Sequence, residues 1–191
     1  RKVPPNMTMA QAAAFGAAYG TAYTALVELG GLQPGQWVLV HGASGGVGLA
    51  ACDLAKALGA KVIAATGSPD KLESLRAACQ PDAVLLAQGK FRVEVAEFTG
   101  GALCDLVYDP VGGDYAEAAL RSMAWGGRFL VVGFPAGIPS LPLNLTLLKS
   151  VSVIGVFWGA AVARDPAMST SRPRPRTGRT PSAKSICTFT S

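Results

Sequence analysis

Four glycines crowd residues 42–48, where Gly42-Ala43-Ser44-Gly45-Gly46-Val47-Gly48 follows the apolar run Val38-Leu39-Val40-His41 and leads into a helical pattern. The chemistry such a junction can do is to hold a diphosphate. A helix N-terminus presents unpaired amides and the positive end of its dipole, and a polyanion needs both at close range. Gly42 permits the tight turn, Gly45 and Gly46 let the backbone approach the phosphates, and Gly48 lets the helix lie close against the strand. Ser44 belongs to the same loop. The spacing, G-x-x-G-G-x-G, shares the logic of the dinucleotide fingerprint G-x-G-x-x-G rather than its letters. It does not fit the G-x-S-x-G elbow of a hydrolase nucleophile.

About twenty residues beyond such a turn, a site for NAD places an acid on the ribose 2′-hydroxyl. This chain has Thr66-Gly67-Ser68 there. With no carboxylate to repel it, a 2′-phosphate could accept from the Ser68 hydroxyl and pair with Lys71, which selects NADP(H). The local alternative is that Ser68 caps the next helix and Lys71 is solvated, with Asp70 and Glu73 close by. His41 is the one histidine, and no carboxylate or nucleophile stands in a dyad spacing to it. It reads as a strand-end residue hydrogen-bonded to backbone rather than as a base. Asp109 ends another strand, where it either contacts ribose or shapes a turn with Pro110. No residue stands out as catalytic acid, base or nucleophile. Cys52, Cys79, Cys104 and Cys187 have neither C-x-x-C nor zinc-finger spacing, so no metal is expected and the thiols read as reduced.

These residues need a sheet to position them, and the pattern supplies one. Thr8 and Gln11 form a capping box that opens a short helix, and a second helix spans 19–29 before Gly30-Gly31. Apolar runs predict strands at 38–40, 61–66, 83–86, 105–109, 128–132 and 151–156, alternating with helices at 47–58, 70–78, 91–98 and 115–123. Such alternation predicts an α/β fold, a doubly wound parallel six-stranded sheet of Rossmann type. Residues 1–35 form a helical lead-in, 36–163 the nucleotide-binding domain, and 164–191 a tail.

Half of the residues are hydrophobic, yet the apolar stretch 151–163 is shorter than the ~18 residues that span a bilayer, so a soluble chain without membrane contact is expected. The net charge of +5 is confined to the tail, because residues 1–168 balance 12 basic against 12 acidic side chains. Arg172, Arg174, Arg176, Arg179 and Lys184 carry the excess in a Ser/Thr/Pro-rich segment expected to be disordered. A basic arm for nucleic acid is the alternative; with Phe189 alone as an aromatic, nucleic acid is not expected. Arg1 in place of methionine suggests that upstream residues are missing. A cytoplasmic address is expected, or a mitochondrial one if a targeting segment stood there.

Tyr19-Gly20-Thr21-Ala22, His41 to Gly48, Asp109-Pro110-Val111-Gly112-Gly113, Gly126-Gly127-Arg128 and Val131-Val132-Gly133-Phe134 together resemble the quinone oxidoreductase (zeta-crystallin-like) group of the medium-chain dehydrogenases/reductases. The resemblance covers about residues 4–168 and extends to Gly155-Val156-Phe157-Trp158-Gly159. It implies NADPH-dependent, zinc-free hydride transfer to a quinone or an α,β-unsaturated carbonyl compound. It also implies roles: Thr21 near the nicotinamide amide, Ser44, Gly45, Gly46 and Val47 at the pyrophosphate, Ser68 and Lys71 at the 2′-phosphate, and Gly133 and Phe134 beside the nicotinamide. A homodimer through the apolar edge 151–158 is a further implication. Members have two domains, so most of the catalytic domain would precede Arg1 and a C-terminal portion would follow Met168. A family tyrosine near the adenine-side phosphate aligns with Ala87. A catalytically incompetent NADP(H)-binding fragment is the alternative to a working reductase.

Overall fold

A computed structural model describes residues 5 and 7–164; the tail 165–191, with the disorder and the basic arm considered for it, lies outside the described residues. Six strands form one sheet: β1 (Trp37–Val40), β2 (Lys61–Thr66), β3 (Ala83–Leu86), β4 (Cys104–Asp109), β5 (Met123–Val131) and β6 (Ser152–Gly155). Every pairing is parallel and the order is β3-β2-β1-β4-β5-β6. The expected doubly wound α/β sheet is the one the chain adopts. Its order reverses direction between β1 and β4, and a crevice opens beyond the carboxyl ends at that point.

Helices cover both faces: α1 (Met9–Tyr23), α2 (Gly46–Ala57), α3 (Leu72–Cys79), α4 (Arg92–Phe98), α5 (Tyr115–Arg121), α6 (Asn144–Lys149) and α7 (Trp158–Arg164). Alternate strand residues point to opposite faces, which splits the core in two. Val38, Val40, Val62, Ala64, Leu106, Tyr108 and Leu130 pack with residues of α1 and α2. Leu39, Ile63, Ala65, Leu85, Val107 and Phe129 pack with residues of α4 and α5. Burial on both sides is why these strands read as unbroken apolar runs. Charged groups tie helices to strand ends: Asp82 Oδ2 accepts from the Val62 amide at 2.7 Å and from Lys56 Nζ at 2.9 Å. No helix among the described residues is long and apolar enough to cross a membrane.

The structure departs from expectation in four places. The two N-terminal helices are one: α1 runs through Gly16, where the space around the glycine is open, and continues directly into the π-helical turn Thr24–Leu29. One glycine costs a helix about 1 kcal/mol, and the alanine-rich flanks offset it. β5 starts five residues early, at Met123, with a register shift opposite Cys104 and Leu106, so the preceding helix ends at Arg121 rather than 123. α6 and α7 were not expected. The strand expected at 151–156 is shorter, Ser152–Gly155; Val156 is buried, and Trp158, at the end of the apolar edge, opens α7.

Candidate nucleotide-binding site

The β1–α2 turn is built by backbone packed too tightly for side chains. Gly42 has φ +55°, and a Cβ there would stand 2.7 Å from Val111 Cγ2. At Gly48 a Cβ would come within 2.3 Å of the Gly42 carbonyl oxygen and 2.7 Å of Ala43 Cα, so the first turn of α2 lies directly on the loop. The loop is pinned by the Gly45 amide donating to Gly42 O at 2.9 Å and by the Ala43 amide donating to Ala65 O of β2 at 3.0 Å. Gly45 precedes α2 in extended backbone, φ −88° and ψ 163°, and no side chain caps the helix. A Cβ at Gly46 would meet nothing within 4 Å. Gly45 and Gly46 are exposed, so the start of α2 is open to a ligand, as a diphosphate requires.

Beside the turn lies a cleft of about 260 Å³. Gly42, Ser44, Thr66, Gly67 and Ser68 line it from the ends of β1 and β2, and His41, Ala87, Val111 and Tyr115 complete it. None of the lining residues is acidic. Ser68 is extended, φ −112° and ψ 117°, and its side chain makes no capping hydrogen bond to the 3₁₀ turn Pro69–Lys71. Capping, one of the two sequence readings for Ser68, is thus not what its hydroxyl does here. The Ser68 amide donates instead to Thr66 Oγ1 at 3.2 Å, and Lys71 stands exposed at the far end of the turn. A wider hollow of about 470 Å³, lined by Arg76, Asp82, Val84 and Phe98 among others, opens near the start of β3. It lies away from the carboxyl rim, and no glycine turn faces it.

His41 is buried at the cleft wall, and its ring meets those of Phe91 and Tyr115 at centroid distances of 5.6 and 6.4 Å. The expected hydrogen bond to backbone is made by its amide, which donates to Tyr108 O at 3.0 Å, and not by the ring, whose Nε2 has no partner. Burial lowers its pKa from the ordinary value, against an upward pull from Asp109, so the ring is neutral at neutral pH. Asp109 is buried, and its Oδ1 accepts from the Val111 and Gly112 amides at 2.9 and 3.0 Å. It builds the turn after β4.

The remaining candidates lie around this centre. The Gly133 amide donates to Asp109 O at 3.3 Å, hooking the end of β5 onto the end of β4, and Phe134 beside it is exposed. Thr21 is half-buried on α1, next to Gly20, where a Cβ would come 2.6 Å from the Trp158 ring; Thr21 does not line the cleft. Thr66, Val111 and Tyr115 are cleft residues that sequence reasoning missed. Their signal is position: Thr66 ends β2, Val111 follows β4, and Tyr115 opens the helix after it. Among the described residues no three His, Cys, Asp or Glu side chains gather as a metal centre.

Residues 46–170 match the family model described as zinc-binding dehydrogenase. Quinone oxidoreductase-like protein 2 of Bos taurus is 42% identical over 160 residues, 83% of this chain and 46% of its own length. A quinone oxidoreductase from Pseudomonas syringae pv. Tomato superposes with TM-score 0.79 at 31% identity, covering 89% of this chain and 53% of that one. The nucleotide-binding subdomain of the enoylreductase domain of PpsC from Mycobacterium tuberculosis superposes with TM-score 0.71 at 34% identity, covering 82% and 88%. This chain spans about half the length of the curated relatives it matches. With its sheet order and glycine turn, the chain belongs to the zinc-binding dehydrogenase family of medium-chain dehydrogenases/reductases, in its quinone oxidoreductase-like group.

Proposed function

We propose that this chain binds NADP(H) across the β1–α2 turn and serves the reduction of a quinone or an α,β-unsaturated carbonyl compound. The observation that carries the coenzyme choice is the cleft: an uncapped Ser68 with Lys71 beyond it, and no carboxylate in the wall. The amides of Gly46 and Val47 would hold the pyrophosphate, with Ser44 closing the loop. Ser68 and Lys71 would take the 2′-phosphate. Asp109 contributes by holding the Val111 and Gly112 amides in place. Thr21, Gly133 and Phe134 are assigned to the nicotinamide end. A bound nicotinamide supplies hydride; the protein orients it and needs little acid or base of its own. Although the family is named for zinc, the described residues assemble no donor set for it, and no step is assigned to a metal.

Turnover needs a second wall over the nicotinamide, and half of each curated relative lies outside what this chain matches. A chain that binds the coenzyme without efficient oxidation is the second reading, and the wall would come from further residues or from a second copy paired along the β6 edge. Val153 and Phe157 are exposed there, and Phe157 is 77% exposed. A cytoplasmic address, a small-molecule substrate and the absence of nucleic-acid binding belong to the same proposal. Calorimetric titration with NADPH and NADH, followed by NADPH oxidation with a small quinone, tests it. Tighter binding of NADPH than of NADH, with oxidation of NADPH by the quinone, is expected; binding without oxidation would favour the second reading, and equal affinity for both coenzymes would overturn the coenzyme choice.

A further inference from the structure

Behind the cleft, α2 and α3 pack together, and each brings a cysteine to the contact: Cys52 in the middle of α2, Cys79 as the last residue of α3. Cys52 is fully buried, and Cys79 is half-buried against the same core. Both cysteines belong to one packed cluster where α2 meets α3, and Cys79 Sγ reaches Leu75 O at 3.5 Å. Cys104 sits in the other core, across the sheet. The pair is asymmetric in freedom as well as in exposure. α3 has only eight residues and ends at Gln80 in the left-handed region, φ 43°, so its last turn can shift where the middle of α2 cannot.

We propose that Cys52 and Cys79 are a redox-active thiol pair, which a small-molecule disulfide such as oxidised glutathione converts to an internal disulfide joining α2 to α3. The half-exposed Cys79 acts first. Its thiolate attacks one sulfur of the glutathione disulfide, that S–S bond breaks, and one glutathione leaves as thiolate while a mixed disulfide forms. Cys52 then loses its proton and its sulfur attacks Cys79 Sγ, displacing the second glutathione. Two protein thiols are oxidised, one glutathione disulfide is reduced to two thiols, and both protons end on those thiols. The electrostatics agree with this order. Pairing with Cys52, helped by Lys56, holds the Cys79 thiol below its usual range against burial and Asp53, while the same pairing and burial push Cys52 up. The pair stands on the α2–α3 contact alone and does not depend on which coenzyme the cleft takes.

The test uses the full chain, reduced, freed of reductant, incubated with oxidised glutathione and then blocked with an alkylating agent. Peptide mapping without reduction is expected to show residues 52 and 79 cross-linked, the joined peptides two hydrogens lighter than the sum of the two reduced peptides, and Cys104 without glutathione. Cys79→Ser is expected to leave Cys52 as a thiol, and Cys52→Ala to stop at the glutathione adduct on Cys79. A stable glutathione adduct on Cys79 in the unsubstituted chain, no modification of it, or a cross-link to Cys187 instead would each overturn the proposal. Because the unsubstituted chain gives the deciding result, a Cys52 variant that fails to fold does not blunt the test.

Discussion

Two turns meet at the switch point of the sheet and are held by opposite means. The turn after β1 owes its shape to missing side chains, since a Cβ at Gly48 would stand 2.3 Å from Gly42 O and one at Gly42 would strike Val111. The turn after β4 owes its shape to one side chain, the buried Asp109 carboxylate that accepts from the Val111 and Gly112 amides. The two are interlocked, because Val111 is both the residue Asp109 holds and the wall that limits Gly42. Sterics set how close the backbone comes to the phosphates, and a hydrogen-bonded turn sets what faces it.

That contrast orders the effects of substitution. Gly48→Val adds atoms where backbone surrounds the site, so a loss of about 3 kcal/mol in denaturant unfolding is expected, with loss of coenzyme binding. Asp109→Ala strands two amides, and a loss of about 2 kcal/mol is expected, whereas Asp109→Asn, which keeps an acceptor oxygen, should restore most of it. Equal losses for Ala and Asn would show that the carboxylate's charge rather than its hydrogen bonds holds the turn. At the cleft the effect is on selectivity instead of stability. The double substitution Ser68→Ala with Lys71→Ala is expected to weaken NADPH binding by about tenfold, near 1.4 kcal/mol, and to leave NADH unchanged by calorimetry.

The smallest effect concerns His41, which sits between the two turns. Its folded pKa is lowered by burial, with Asp109 opposing, so the unfolded chain takes up a proton near pH 6.5 while the folded chain does not. Its contribution to stability is complete above that value and falls away as pH drops below it. Between pH 7 and 6 the decline should be under about 1 kcal/mol, and His41→Gln should flatten it. As the one histidine in the chain, His41 leaves no other imidazole to mask the result.

Sheet and glycine turn were legible in the sequence for the same physical reason that makes them rigid. Strands buried on both faces must be apolar, and residues 62–65 or 106–108 announce themselves so; Gly42 and Gly48 are glycines because a Cβ does not fit at either. The cleft was legible only in part. Thr66, Ala87 and Val111 come from the ends of three different strands or the loops after them and Tyr115 from the start of α5, and only the sheet order brings them together. α6 was missed because it follows the stretch broken by Pro135, Pro139 and Pro142, α7 because it lies inside the apolar run 151–163, and the early start of β5 because Trp125-Gly126-Gly127 reads as a turn. For His41 the sequence showed the strand end but not that the ring nitrogen would lack a partner.

The cradling of a diphosphate by the start of α2, with a 2′-phosphate at Ser68, is tested most directly by amide resonances of the labelled chain titrated with each coenzyme. Both coenzymes are expected to shift the amides of Ser44 to Gly48, and NADPH alone those of Ser68 to Lys71. Unmoved signals at Ser44 to Gly48 with either coenzyme, or identical shifts at Ser68 to Lys71 with both, would contradict it.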